Sequence, residues 1–134
     1  LLGCGRYDLV VSNPPYGEPN GQQAGALRDA AVREGTTDIA AVCRSASKLL
    51  RNGGAFCVCF PARRLAALFA ALSAERLEPK RLQPVYPAPN REAKLVLVEA
   101  VRNAKPGMRV LEAMGFTGET FFAGEGFFAG EPFL

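Results

Sequence analysis

Apolar positions along the chain follow two patterns. Unbroken runs of β-branched and aromatic residues predict buried strands, and recurrences at three and four predict helices. Tyr7-Asp8-Leu9-Val10-Val11 is the first run and predicts a buried strand. Pro14 and Pro15 end it, because each lacks an N–H and fixes φ. Residues 17–25, rich in Gly, Pro, Asn and Gln, predict a mobile loop. Ile39, Val42, Cys43, Ala46 and Leu50 then share one helical face behind a Thr37 or Asp38 cap. Lys48 and Arg51 suit the negative end of that helix, and Asn52-Gly53-Gly54 stops it. Ala55 to Phe60 predicts a second buried strand. Arg63 to Ala74 predicts a second helix, with Leu65, Leu68, Phe69 and Leu72 on one face. Residues 80–86 and Ala93 to Val101 predict a third and a fourth strand.

Strands alternating with helices imply an α/β fold with a parallel sheet. The last two strands are joined by residues 87–92 alone, too few for a parallel crossover, so they must form an antiparallel hairpin. The expected sheet is therefore mixed. The end of the chain differs in kind. Residues 117–122, 123–128 and 129–134 are three hexapeptides of the form x-Gly-Glu-x-Phe-apolar, ending in Phe122, Phe128 and Leu134. Three short repeats are too few for a solenoid. The expected division is a body over 1–115 and a low-complexity tail, disordered or loosely docked, over 116–134.

Charge sharpens that division. Residues 1–115 hold all 16 Lys and Arg and 10 acidic residues, net +6, whereas 116–134 hold Glu119, Glu125 and Glu131 and no base. The 134 residues contain no His, which excludes Ser-His-Asp and Cys-His catalysis and His metal ligands. Cys4, Cys43, Cys57 and Cys59 form no Cys-x-x-Cys pair, so they are read as small apolar residues, with no metal site. Reduced thiols, and the lack of an apolar run of about 18 residues, lead to the expectation of a cytoplasmic protein away from the membrane.

Asn13-Pro14-Pro15-Tyr16 is the segment that carries chemistry. Open α/β sheets bind ligands outside the carboxyl ends of their strands, and this segment follows such an end. The Asn13 side-chain oxygen and the Pro14 carbonyl offer two acceptors on a stiff backbone. A planar amino group offers two donors. Accepting both N–H groups pulls the nitrogen toward tetrahedral geometry and frees its lone pair. Tyr16 adds an aromatic face on which a flat substrate stacks. No strong base is needed, because the amine loses its proton after gaining a methyl.

The run Tyr7-Asp-Leu-Val-Val-Ser-Asn-Pro-Pro-Tyr-Gly17 resembles the catalytic segment of Rossmann-like, class I S-adenosylmethionine-dependent methyltransferases that act on amino groups. Gly53-Gly-Ala-Phe56, Phe60-Pro-Ala-Arg-Arg-Leu65, Leu77-Glu-Pro-Lys-Arg-Leu82, Leu95-Val-Leu-Val-Glu-Ala100 and Lys105-Pro-Gly-Met-Arg-Val-Leu111 are similar to the bacterial tRNA (valine) adenine-N6-methyltransferase family. The resemblance covers about residues 6–112. It implies the C-terminal half of that fold, with Asn13, Pro14, Pro15 and Tyr16 at the target amine, S-adenosylmethionine as cofactor and tRNA as partner. The family's glycine-rich loop and ribose-binding acid have no counterpart here. Gly3-Cys4-Gly5 precedes a strand instead of following one. The chain is thus expected to be truncated and inactive alone, with Asn13 the residue able to contact the cofactor. Arg63, Arg64, Lys80, Arg81, Arg91 and Lys94, with Arg76, are the expected nucleic-acid residues, because clustered cations bind phosphates without reading sequence. The competing readings are methylation of protein glutamine, DNA or ribosomal RNA, or a non-catalytic RNA-binding remnant.

Overall fold

The computed structural model of the chain describes residues 3–14, 39–117 and 120–122. The loop expected over 17–25 and the Thr37 or Asp38 cap lie outside the described residues. So do Pro15, Tyr16 and the tail beyond Phe122.

The elements are β1 (Tyr7–Ser12), α1 (Ile39–Leu49), β2 (Leu50–Pro61), a 3-10 turn (Ala62–Arg64) and α2 (Leu65–Ala74). Then come β3 (Leu77–Tyr86), β4 (Leu95–Arg102), β5 (Arg109–Val110), β6 (Met114–Thr117) and β7 (Thr120–Phe122). Strand order is β1-β2-β4-β3-β6-β7, with β5 also lying along β3. β1 and β2 are parallel, and β4 is antiparallel to both β2 and β3, so the sheet is mixed as expected. β6 crosses the 115/116 boundary. It pairs with β3 and, in an antiparallel hairpin, with β7.

Strand alternation gives the sheet two faces. Phe56, Val58 and Phe60 of β2 and Val96, Val98 and Ala100 of β4 point to one face and are buried. There they form a core with Ile39, Cys43 and Ala46 of α1 and Leu68, Ala71 and Leu72 of α2. Ser47 Oγ donates to the Glu75 carbonyl at 2.9 Å and ties α1 to the turn after α2.

Two sequence expectations are corrected. β1 was expected to be buried, yet Leu9 is 45% and Val11 70% exposed. Among the described residues β1 pairs only with β2, so it is an edge strand, and only its Val10 packs against the core. Leu50 was assigned to the helix and instead opens β2. The chain then makes a wide bulge, since Tyr7 pairs with Leu50 but Leu9 pairs with Ala55. Gly53 takes a left-handed φ of 79° in that bulge. At Gly54 an added Cβ would lie 2.9 Å from the Arg51 carbonyl oxygen and 3.1 Å from that of Tyr7, so only glycine lets the bulge pass over β1.

β3 starts at Leu77, three residues before the expected 80, and includes Pro79. Pro79 pairs with Ala100 and Arg81 with Glu99, which leaves Lys80 as the extra residue of a β-bulge. The bulge reverses the alternation. Leu77 and Leu82 both reach the core, and Arg81 turns to the other face.

Candidate functional site

The carboxyl ends of the parallel strands β1 and β2 lie side by side, with Ser12 paired to Val58. Asn13 follows as an exposed residue and Pro14 as a buried one. On the far side of β2 stands the turn joining β3 to β4. Two backbone bonds fix it: Ala62 N–H donates to the Lys94 carbonyl at 2.9 Å, and Lys94 N–H donates to the Val85 carbonyl at 2.9 Å. Asn90 closes the turn with a left-handed φ of 61°, which Asn tolerates better than most residues. A cavity of about 570 Å³ opens between the end of β2 and this turn, with Pro61, Pro87 and Leu95 as apolar wall and Arg63, Arg91 and Lys94 as basic lining. Continuing the β1–β2 register sets Asn13 opposite Cys59, two residues short of Pro61, or roughly 8 Å away by strand geometry.

Of the six expected nucleic-acid residues, the fold gathers Arg63, Arg91 and Lys94 around this cavity. Arg64 follows Arg63 in sequence, and its guanidinium carbon lies 5.0 Å from the Phe60 ring centroid, a cation–π distance. Lys80 lies elsewhere. It is seven residues from Pro87, about 23 Å along an extended strand, and its Nζ donates to the Lys105 carbonyl at 3.0 Å.

Arg81 is a correction. It is 4% exposed, and its Nη2 donates to Glu99 Oε2 at 2.7 Å inside the protein. Its charge is neutralised internally, so it acts as the counter-ion of a fully buried carboxylate and not as a phosphate contact. Lone Glu99 within the apolar run Leu95–Ala100 was the sequence signal for this pair, since a buried acid needs a cation. Gln83 is also fully buried, and its amide donates to the Glu112 carbonyl at 3.2 Å.

The four cysteines are free thiols. Burial, with Glu75 nearby, pushes the Cys43 thiol up to about 12. Burial also pushes Cys57 up to about 12, with Glu99 raising it further and Arg81 opposing. Neither is a nucleophile at neutral pH. No described helix is long and apolar enough to cross a membrane.

No family model matches the sequence. The chain is 33% identical over 99 residues to the tRNA1(Val) (adenine(37)-N6)-methyltransferase of Porphyromonas gingivalis. That match takes in 74% of this chain and 39% of the relative. It is 32% identical over 103 residues to the protein of the same name from Parabacteroides distasonis, across 75% of this chain and 44% of that one. The chain thus spans about two-fifths of the length of these curated relatives. In fold it matches the crystal structure of a predicted O-methyltransferase from Agrobacterium tumefaciens with a TM-score of 0.66. The match covers 89% of this chain and 48% of that one at 18% identity. Over the segment they share, the chain is a homologue of the tRNA1(Val) (adenine(37)-N6)-methyltransferases, and its mixed α/β fold is that of the matched part of the predicted O-methyltransferase.

Proposed function

We propose that this chain forms the amine-binding side of an enzyme that moves a methyl group from S-adenosylmethionine to N6 of an adenine in tRNA. The observation that carries the reading is the likeness to the tRNA1(Val) methyltransferases over 74% of the chain. The placement of Asn13 at the carboxyl end of β1 agrees with it. The Asn13 carbonyl oxygen and the Pro14 carbonyl each accept one N–H of the adenine amine. Pro15 keeps them aligned and Tyr16 stacks on the base. The amine nitrogen then carries an available lone pair. Once it bears the methyl, it releases one proton to water. The adenine must leave its stack to reach these groups, which a single-stranded loop allows at small cost.

The described residues fit the amine end of this reaction and not the cofactor end. Gly3 and Gly5 stand before β1, at the end of the strand opposite Asn13, and Gly5 N–H is taken up by the Lys48 carbonyl at 2.8 Å. S-adenosylmethionine, when bound, supplies an electrophilic methyl.

The test uses unmodified tRNA, labelled S-adenosylmethionine and this chain, alone and mixed with the N-terminal part of the Parabacteroides distasonis relative. Label should enter adenine only in the mixture. Asn13→Ala should lower turnover at least about a hundredfold, as removing a preorganised polar group does. Label in a glutamine peptide but not in tRNA would replace this reading by the protein-modifying one. Tight RNA binding with no transfer in any mixture would replace it by a non-catalytic one.

A further inference from the structure

We infer that the cavity between Pro61 and the β3–β4 turn is a second nucleotide site, taking the residue next to the target adenine in a single-stranded RNA. The inference rests on the RNA reading above. The cavity joins two features that a nucleotide combines. Pro61, Pro87 and Leu95 give it an apolar wall, and neither proline has an N–H that a stacked base would leave unsatisfied. Among the described residues, Arg63, Arg91, Lys94 and Glu92 border that wall, so its described rim is basic on balance. A flat apolar body with an anion attached fits this division, whereas a bare phosphate leaves the wall unused. At about 570 Å³ the cavity lies within the range of small-molecule pockets and has room for one nucleotide.

Position and stiffness support the same occupant. Pro61, the wall of the cavity on β2, lies roughly 8 Å from Asn13 by strand geometry, so a strand of RNA with its adenine at Asn13 runs toward the cavity. Pro87 and Pro89 restrict the turn, and the bonds Ala62 N–H to Lys94 and Lys94 N–H to Val85 tie it to the end of β2. The backbone that carries Ala62 and Lys94 is therefore fixed before RNA arrives, which lowers the entropy lost on binding. An acidic peptide would satisfy the cations but brings no planar group for the wall.

The test titrates a fluorescent single-stranded RNA octamer into the 134-residue chain and follows anisotropy across a range of salt. Arg91→Ala with Lys94→Ala should weaken binding about tenfold and flatten the salt slope by about 1.4, since each lost phosphate contact on a single strand is worth about 0.7. Ala93→Phe, which fills the cavity and keeps every charge, should weaken binding several-fold and leave the slope unchanged. Melting curves of the variants should match the parent. Loss of slope without any effect of Ala93→Phe would mean that phosphates merely cross the surface, and the nucleotide site would be wrong. No binding of the octamer at 0.1 mM, or tighter binding of an acidic peptide, would also overturn it. Methyl transfer is a separate readout. A mixture that methylates tRNA while the cavity variants bind normally sinks this inference alone, and cavity-dependent binding without transfer sinks the enzyme reading alone.

Discussion

The two faces of the sheet are built on different principles. On the helix-covered face, Phe56, Val58, Phe60 and Val98 are 0–3% exposed, closed over by α1 and α2 of the same chain. On the other face the centre is polar and dry, with Arg81, Gln83 and Glu99 at 0–4% exposure, while Leu9 and Val11 of β1 lie open. The first face is finished by ordinary apolar burial. The second is finished in the middle by one ion pair and left open along β1, the strand that ends at Asn13. Stability should therefore respond to changes on the first face and in the ion pair, and hardly at all along β1.

The largest expected effect contrasts two residues on neighbouring strands. Phe56→Ala should cost about 4 kcal/mol in urea unfolding, through lost burial and the cavity left behind. Val11→Ala, at 70% exposure, should change stability by less than about 0.5 kcal/mol. Equal effects would mean that β1 is covered in solution and that the contrast between the faces is false.

The ion pair comes next. Arg81→Ala should cost about 3 kcal/mol, because it strands the Glu99 carboxylate in a dry interior. Changing both partners, Arg81→Met with Glu99→Leu, should recover most of that loss. A double variant as unstable as the single one would show that the pair is needed for more than mutual neutralisation.

The buried thiols probe both faces through pH. Cys43 lies under the helices, and Cys57 pairs in register with Glu99 on the other face. Each folded thiol is raised from 9.0 to about 12, so the unfolded chain loses these protons first. Their contribution is complete below pH 9 and fades as pH climbs from 9 towards 12. The fully buried Cys43 thiol should steepen the loss by up to about 1.4 kcal/mol per pH unit in that window, and the half-buried Cys57 thiol by less, because solvent screens it. Cys43→Ala should remove its share, measured as the difference in slope from the parent. Parallel slopes would show that the Cys43 thiol is reached by solvent.

The order of elements and the mixed sheet were legible because apolar runs and helical recurrences report burial directly. The same signal misled where two structures share it. Leu50 continues the helical stripe of Ile39, Cys43 and Ala46, and it is buried at 0% exposure as the first residue of β2 instead. The exposure of β1 was not legible, since Leu9 and Val11 are apolar whether or not anything covers them. Arg81 was hidden by the bulge at Lys80. Leu77 and Leu82 are five apart, so strict alternation places them on opposite faces, and only the extra residue puts both in the core and Arg81 against Glu99. In the site, Asn13 and Pro14 were legible as a motif. The grouping of Arg63 with Arg91 and Lys94 needed the backbone bonds that bring the turn to the end of β2.

The smallest expected effect concerns the end of the sheet away from the cavity. Arg76 follows α2 with a left-handed φ of 57°, a conformation that costs a non-glycine residue roughly 1 kcal/mol. Its carbonyl accepts the Asn103 N–H at 2.9 Å, so the conformation is locked where α2 hands over to β3. Glycine keeps the backbone bond and removes the strain, although it also gives the unfolded chain more freedom. Arg76→Gly should therefore raise stability by somewhat less than about 1 kcal/mol in urea unfolding. Arg76 belongs to the basic residues first expected to meet RNA, yet it lies beside Leu77, which pairs with Arg102 at the opposite end of β4 from Lys94. The same substitution should leave octamer affinity and its salt slope unchanged. A slope that falls with Arg76→Gly would move the RNA path to the far end of the sheet and remove the link between the open strand β1 and the basic cavity.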